Sequence, residues 1–272
     1  MMKRLFSILL IFAFAFHIQC FAISSINEKV ISFETFSNAD GLSNNNIQCI
    51  YHDSKGFLWI GTNSGLNRYD GKNFLIFRND PQNPNSLSSN CIHGICEDAD
   101  KNIWVATGYG INIISSENYE CRQFNIDSSY TIDAEKNLVQ NIFCDSENNL
   151  WIKKSNSIDL INLKTRKHRS YSVDSDIFQE EFDHYAYPIF QDSQGILWIG
   201  TDNGLGYYEP IIDDFIFFKS DAIQPHHISE NHVLSIYEDS KNRLWIGTRN
   251  GLNLFDKKNK KFTTFYRSRA HV

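Results

Sequence analysis

Five tryptophans, Trp59, Trp104, Trp151, Trp198 and Trp245, stand 45, 47, 47 and 47 residues apart and carry a fixed set of companions. Six positions before each lies an aspartate: Asp53, Asp98, Asp145, Asp192 and Asp239. Three before each aspartate lies an isoleucine: Ile50, Ile95, Ile142, Ile189 and Ile236. Eighteen or twenty positions after each tryptophan comes Phe77, Phe124, Tyr171, Phe218 or Phe265. A period in the forties belongs to propellers or helical arrays.

One period resolves into four short strands. Ile47–His52 alternates apolar with polar or small residues, the period of a strand. Asp53–Gly56 turns the chain, with Gly56, Asn148, Gly195 and Asn242 where a positive φ is needed. Phe57–Thr62, Leu66–Asp70 and Asn73–Arg78 follow as further strands, separated by Asn63-Ser64-Gly65 and Gly71-Lys72. Four antiparallel strands per period build a propeller blade. A helical array needs amphipathic stretches of ten residues or more, which this Asn- and Gly-rich chain lacks. The expected fold is all-β: a propeller of five four-stranded antiparallel blades, forming an incomplete, open ring. The repeats fall at about 31–78 with a leading strand (Ile31–Phe36), 91–126, 138–173, 185–219 and 232–266. That leading strand has no blade of its own, because the fifth repeat already supplies Lys261–Phe265.

The repeated residues have structural tasks. Each tryptophan can wedge between neighbouring blades. Each aspartate can cap its turn by accepting backbone N–H bonds. The Gly-Thr pairs (Gly61-Thr62, Gly200-Thr201, Gly247-Thr248) let backbones approach closely. Equal spacing argues against a catalytic carboxylate cluster, since acid/base chemistry needs one or two groups in unequal environments. The Asn45, Asn90, Asn137 and Asn231 series likewise suits turn chemistry. Blade 3 departs from the pattern: Trp151-Ile152-Lys153-Lys154-Ser155 replaces the Gly-Thr motif. Such irregularity is drift or the mark of a ligand or partner.

Residues 1–22 have the layout of a secretory signal peptide. Lys3 and Arg4 precede an apolar run, Leu5–Phe16, and Cys20-Phe21-Ala22 offers a cleavage site. Lipidation at Cys20 is the weaker alternative. No later stretch is apolar for long enough to span a membrane, so the mature chain (23–272) is expected to be exported, with a periplasmic location. The net charge of −6 gives no support to nucleic-acid binding. Cys49, Cys91, Cys96, Cys121 and Cys144 are odd in number and lack zinc-ligand spacing, so they are expected as free, half-buried strand thiols. No metal or other cofactor is expected.

The segments Asp53–Asp70 (DSKGFLWIGTNSGLNRYD) and Asp239–Asp256 (DSKNRLWIGTRNGLNLFD), with Asp40–Ile47 before the first, resemble two-component regulator propeller repeats. The resemblance implies the N-terminal sensor region of a hybrid two-component histidine kinase, sensing oligosaccharides outside the cytoplasmic membrane. Nothing here matches a kinase, receiver or DNA-binding module.

In propellers the turn between strands two and three shares one face with the loop leading into strand one. On that face the sequence places Asn63, Tyr109, Asn203 and Arg249, with Tyr185, Tyr187 and His232 near the starts of the inner strands. Planar polar groups and aromatic faces suit sugars, and each residue is also at home as ordinary loop. A propeller glycosidase or lyase is the enzymatic alternative, with Glu180, Glu181, Asp183, Asp213 and Asp214 as its acids, though their clustering suits a solvated acidic face. His226-His227 is a weak ligand pair. A protein-interaction scaffold is the third reading, because an unclosed arc exposes blade sides that further blades or a second copy could cover.

Overall fold

The structure, a computed structural model, describes residues 33–125, 139–155, 157–173, 187–221 and 226–267. The leader, Tyr185, Asn137 and the acids Glu180, Glu181 and Asp183 lie outside these residues. Phe36–Val272 forms one compact unit.

The described residues of that unit form twenty strands in five four-stranded antiparallel sheets. Blade 1 comprises β1 (Ile47–His52), β2 (Leu58–Thr62), β3 (Gly65–Tyr69) and β4 (Phe74–Phe77). Blade 2 comprises β5 (Ile92–Glu97), β6 (Ile103–Thr107), β7 (Gly110–Ile114) and β8 (Cys121–Gln123). Blade 3 is β9 (Val139–Cys144), β10 (Asn149–Lys154), β11 (Ser157–Asn162) and β12 (His168–Ser172). Blade 4 is β13 (Ile189–Gln191), β14 (Leu197–Thr201), β15 (Gly204–Glu209) and β16 (Asp214–Phe218). Blade 5 is β17 (Val233–Glu238), β18 (Leu244–Thr248), β19 (Gly251–Asp256) and β20 (Lys261–Phe265). Every sheet is a simple meander in chain order. Gly56, Asn148, Gly195 and Asn242 all take positive φ, as the turn requires, and so does Lys101 at the matching place in blade 2.

First strands pack in series: β1 on β5, β5 on β9, β9 on β13 and β13 on β17. Four of the five tryptophans join the core of the blade that follows them. Trp59 lies with Ile92 and Val105, Trp104 with Val139 and Ile152, Trp151 with Leu197 and Ile199, and Trp198 with Val233 and Ile246. These four are 0–3% exposed. Gly61 and Gly200 permit the approach: a Cβ on Gly61 would lie 2.6 Å from the Ile92 side chain, and one on Gly200 2.8 Å from Val233.

Among the described residues, two blade faces stay uncovered. Trp245 is only half-buried, and its neighbours Tyr237, Leu252 and Phe265 are 63%, 44% and 48% exposed. On blade 1, Ile50 is 62% exposed, whereas its counterparts Ile95 and Ile142 are 7% and 3% exposed. No comparable packing joins β17–β20 to β1–β4 among the described residues.

The expected leading strand is not formed over residues 33–36. A strand needs a ladder partner for its backbone groups, and none of the described strands pairs with this segment. Phe33 is exposed, while Phe36 instead packs against Tyr69 and Phe74, with ring centroids 5.0 and 5.8 Å away.

Candidate functional site

All five aspartates are engaged by partners in their own blades, and Asp192 also pairs with Lys257 of blade 5 at 2.7 Å. In each, one carboxylate oxygen accepts the tryptophan indole N–H six residues on, at 2.7–2.9 Å. The other accepts turn backbone N–H groups, as Asp53 does from Lys55 and Phe57 at 3.0 and 2.8 Å. Hydrogen bonds to the ionised form favour ionisation. The Trp245 indole, assisted by the Arg243 backbone and guanidinium, accordingly holds the Asp239 carboxyl well below its ordinary value. Burial alone would raise Asp192, but bonds from Lys257 and the Trp198 indole outweigh it and leave the carboxyl lowered. A group held ionised this firmly is a poor proton shuttle. Asp213 is committed as well, accepting the Tyr171 and Tyr208 hydroxyls at 2.8 Å and pairing with Arg169.

In blades 1, 4 and 5 the turn between the second and third strands meets a loop that leads into a first strand. Gly65 N–H donates to Asn90 O, Gly204 N–H to Asn231 O and Arg249 N–H to His232 O, at 2.8–3.3 Å. In blades 1, 2 and 5 a neutral triad locks the lead-in loop. Ser43 donates its N–H to Asn67 Oδ1 at 2.8 Å and shares a hydroxyl bond with Thr62 at 2.9 Å. Ser88 with Asn112 and Thr107, and Ser229 with Asn253 and Thr248, repeat this arrangement. Asn45, Asn90 and Asn231 accept N–H bonds from Asn38, Asn79 and Ser220 and tie the incoming chain to the same loop.

Blade 3 differs at this end. The places of Thr62 and Asn67 are taken by Lys154 and Asp159, a buried ion pair at 2.6 Å. Gly61 is replaced by Lys153, which is 3% exposed, donates to the Lys154 and Ser155 carbonyls and lies 5.9 Å from the Tyr187 ring centroid. Burial lowers the Lys153 ammonium to a pKa of about 8, against the opposing pull of Asp202.

Six of the seven residues singled out from sequence lie among the described residues, and those six do not line one common cavity. Asn63 is exposed and accepts from Cys91 Sγ at 3.4 Å, and Tyr109 is 65% exposed. Tyr187 is buried, and its carbonyl accepts from Asn141. Asn203 borders a groove of about 200 Å³ beside Asp214, Phe215 and Phe217. His232 pairs with Glu230 at 3.0 Å, and Arg249 is exposed on the neighbouring turn. Tyr185 lies outside the described residues.

A larger groove of about 530 Å³ opens where β16 runs out and the loop before β17 meets β20. Asp221, His226 and His227 line one side, and Phe262, Thr264 and Tyr266 the other. Its volume falls within the range of small-ligand sites. His227 Nδ1 lies 3.4 Å from Lys219 O, and Tyr266 is 63% exposed. Of these residues only the His226-His227 pair was visible in the sequence, and as a ligand pair at that. The described residues hold no group of three or more metal-ligating side chains, and no helix among them is long and apolar enough to cross a membrane.

The two-component regulator propeller family matches at residues 41–64, 86–109, 182–203 and 227–250, passing over blade 3. A 50-residue stretch is 46% identical to Histidine kinase P4 of Formosa agariphila, covering 18% of this chain and 4% of that protein. The extracellular domain of a putative hybrid two-component system from B. thetaiotaomicron superposes with a TM-score of 0.66 at 25% identity. The match takes in 86% of this chain and 32% of that one, so the chain spans about a third of the domain it resembles. Virginiamycin B lyase from Staphylococcus aureus shares the fold, with a TM-score of 0.59 at 15% identity over 81% of this chain and 70% of the lyase. Four segments of the chain thus match two-component regulator propeller repeats, in step with the spacing of the tryptophans in blades 1, 2, 4 and 5.

Proposed function

We propose that this chain is the propeller part of an exported, periplasmic ligand-sensing domain of a two-component receptor, and that the ligand is an oligosaccharide. The supporting observation is the 530 Å³ groove between blades 4 and 5, at the end of the blades where the lead-in loops gather. Tyr266 offers an aromatic face for a sugar ring, and Asp221, His226, His227 and Thr264 offer donors and acceptors for hydroxyls. The repeated aspartates are engaged in holding tryptophans, which favours binding over catalysis as the task of this chain. The uncovered Trp245 face is the one that each preceding blade buries against its successor, so its natural partner is another blade of the same repeat.

Isothermal titration of the purified chain against a panel of neutral and acidic oligosaccharides tests the ligand class. Saturable binding to at least one member is expected, weakened about tenfold by Tyr266→Ala, which corresponds to ~1.4 kcal/mol for a lost aromatic stacking contact. Silence across the panel would contradict the proposal.

A further inference from the structure

Three of the four seams between blades carry the same hydrogen-bonded clip. The residue just before the aspartate of one blade accepts from the serine just after the aspartate of the preceding blade. Glu97 accepts from Ser54 N–H and hydroxyl at 2.9 and 2.6 Å. Gln191 accepts from Ser146 N–H at 3.0 Å, and Glu238 from Ser193 N–H at 2.7 Å.

The seam between blades 2 and 3 breaks this rule at both positions. Ala99 stands in the place of the serine, and its N–H turns to Asn148 Oδ1 at 3.4 Å. Cys144 stands in the place of the glutamate or glutamine. One position earlier in the blade, where Tyr51, Phe143, Phe190 and Tyr237 stand, blade 2 has Cys96. The Cys96 and Cys144 sulfurs are 2.7 Å apart, 48 residues apart in sequence. Both thiols are free in the structure, yet this distance is only about 0.7 Å beyond a disulfide bond. The other cysteines have different neighbours: Cys91 lies against Asn63 and His93, and Cys121 against Asn112.

We propose that Cys96 and Cys144 form a disulfide that staples β5 to β9 and replaces the missing clip. The reaction needs a disulfide oxidant, such as a thiol–disulfide oxidoreductase of an exporting compartment or oxidised glutathione. Cys144 is half-buried, whereas Cys96 is 4% exposed and its thiol is held far above its ordinary pKa by burial and by the neighbouring sulfur. Cys144 is therefore the point of attack. Its thiolate breaks the oxidant S–S bond, forms a mixed disulfide and releases one thiolate. Cys96 sulfur, losing its proton, then attacks Cys144 Sγ and expels the second. Two protein thiols are oxidised, and one oxidant disulfide is reduced to two thiols.

The test uses the purified full chain, so its outcome is independent of where a cell places the protein. The folded chain is incubated with oxidised glutathione, quenched with an alkylating agent and mapped by mass spectrometry without reduction. The expected result is one linked peptide pair joining Cys96 to Cys144. The unfolding midpoint should then fall on reduction by about 5–15 °C, and Cys144→Ser should abolish both the link and the reductant response. Alkylated Cys96 and Cys144 in the oxidised wild-type chain, or a different dominant pairing, would overturn the proposal.

Discussion

Blade 1 closes its lead-in end with Ser43, Thr62 and Asn67, neutral groups that satisfy one another at 2.8–2.9 Å. Blade 3 puts Lys154 and Asp159 at the matching positions of its second and third strands, both buried, and adds Lys153 where blade 1 has glycine. The neutral set costs little desolvation, because each hydroxyl and amide exchanges one hydrogen-bond partner for another. The ion pair must first take two charges out of water, a cost that its Coulomb attraction repays only with good geometry. A blade built for stability alone has no need of that exchange. The same blade lacks the hydrogen-bonded clip on its blade 2 side and is passed over by the family match. Blade 3 is therefore where the repeat has given up uniformity. The buried lysines lie at the end that carries the lead-in loops, and the missing clip lies at the opposite end, where β9 runs into the Asp145 turn.

The largest effect that sharpens this contrast comes from breaking the pair on one side. Lys154→Met removes the ammonium partner of the buried Asp159 carboxylate, which also accepts from the Ser157 and Ser170 hydroxyls. The expected loss is about 3–5 kcal/mol in urea denaturation. Replacing both partners, as Lys154→Thr with Asp159→Asn, removes both buried charges together and should recover most or all of that loss. A harmless Lys154→Met would show that the pair carries no weight.

A second effect lies in alkaline stability. The folded-state pKa of Lys153 is lowered from 10.5 to about 8. Between those values the unfolded chain binds more protons than the folded one, so stability rises with pH across the interval. The burial cost that bears on stability below pH 8 is relieved by 10.5, worth up to about 3 kcal/mol. Lys153→Gly, the residue of blades 1, 4 and 5, should flatten that rise. An unchanged alkaline slope in the variant would assign the effect to another group.

Smaller still is the neutral counterpart. Asn67→Ala removes the acceptor of Ser43 N–H and a donor to the Ile60 carbonyl. About 1–3 kcal/mol should be lost at neutral pH, with no pH dependence of its own. If Asn67→Ala proved as costly as Lys154→Met, the distinction between the two blades would collapse.

Much of the architecture is legible in sequence because it is periodic. The spacing of Trp and Asp sets the strands, and the positive-φ turn positions follow from Gly56, Asn148, Gly195 and Asn242. Lys101 escapes that logic, since nothing about a lysine announces a left-handed turn. The six-residue step from aspartate to tryptophan was visible, but its meaning as a hydrogen bond depends on the turn folding the two side chains onto each other. Residues 33–36 of the leading segment form no strand, because alternation alone cannot supply a pairing edge. The groove lined by Asp221, His226, His227 and Tyr266 is harder to see, for it gathers the outer strand of blade 5 and two loop segments that share no spacing. The Cys96–Cys144 contact joins different positions of two repeats, so comparison of equivalent positions passes it by.

Hydrogen exchange of the five indole N–H groups, followed by NMR, addresses most directly the claim that aspartate-anchored tryptophans wedge each blade against the next. Trp59, Trp104, Trp151 and Trp198 should exchange only through global opening, while Trp245, bonded to Asp239 on an uncovered face, should exchange much faster. Five indoles exchanging at one common rate, or fast exchange at the four buried positions in the folded chain, would contradict it.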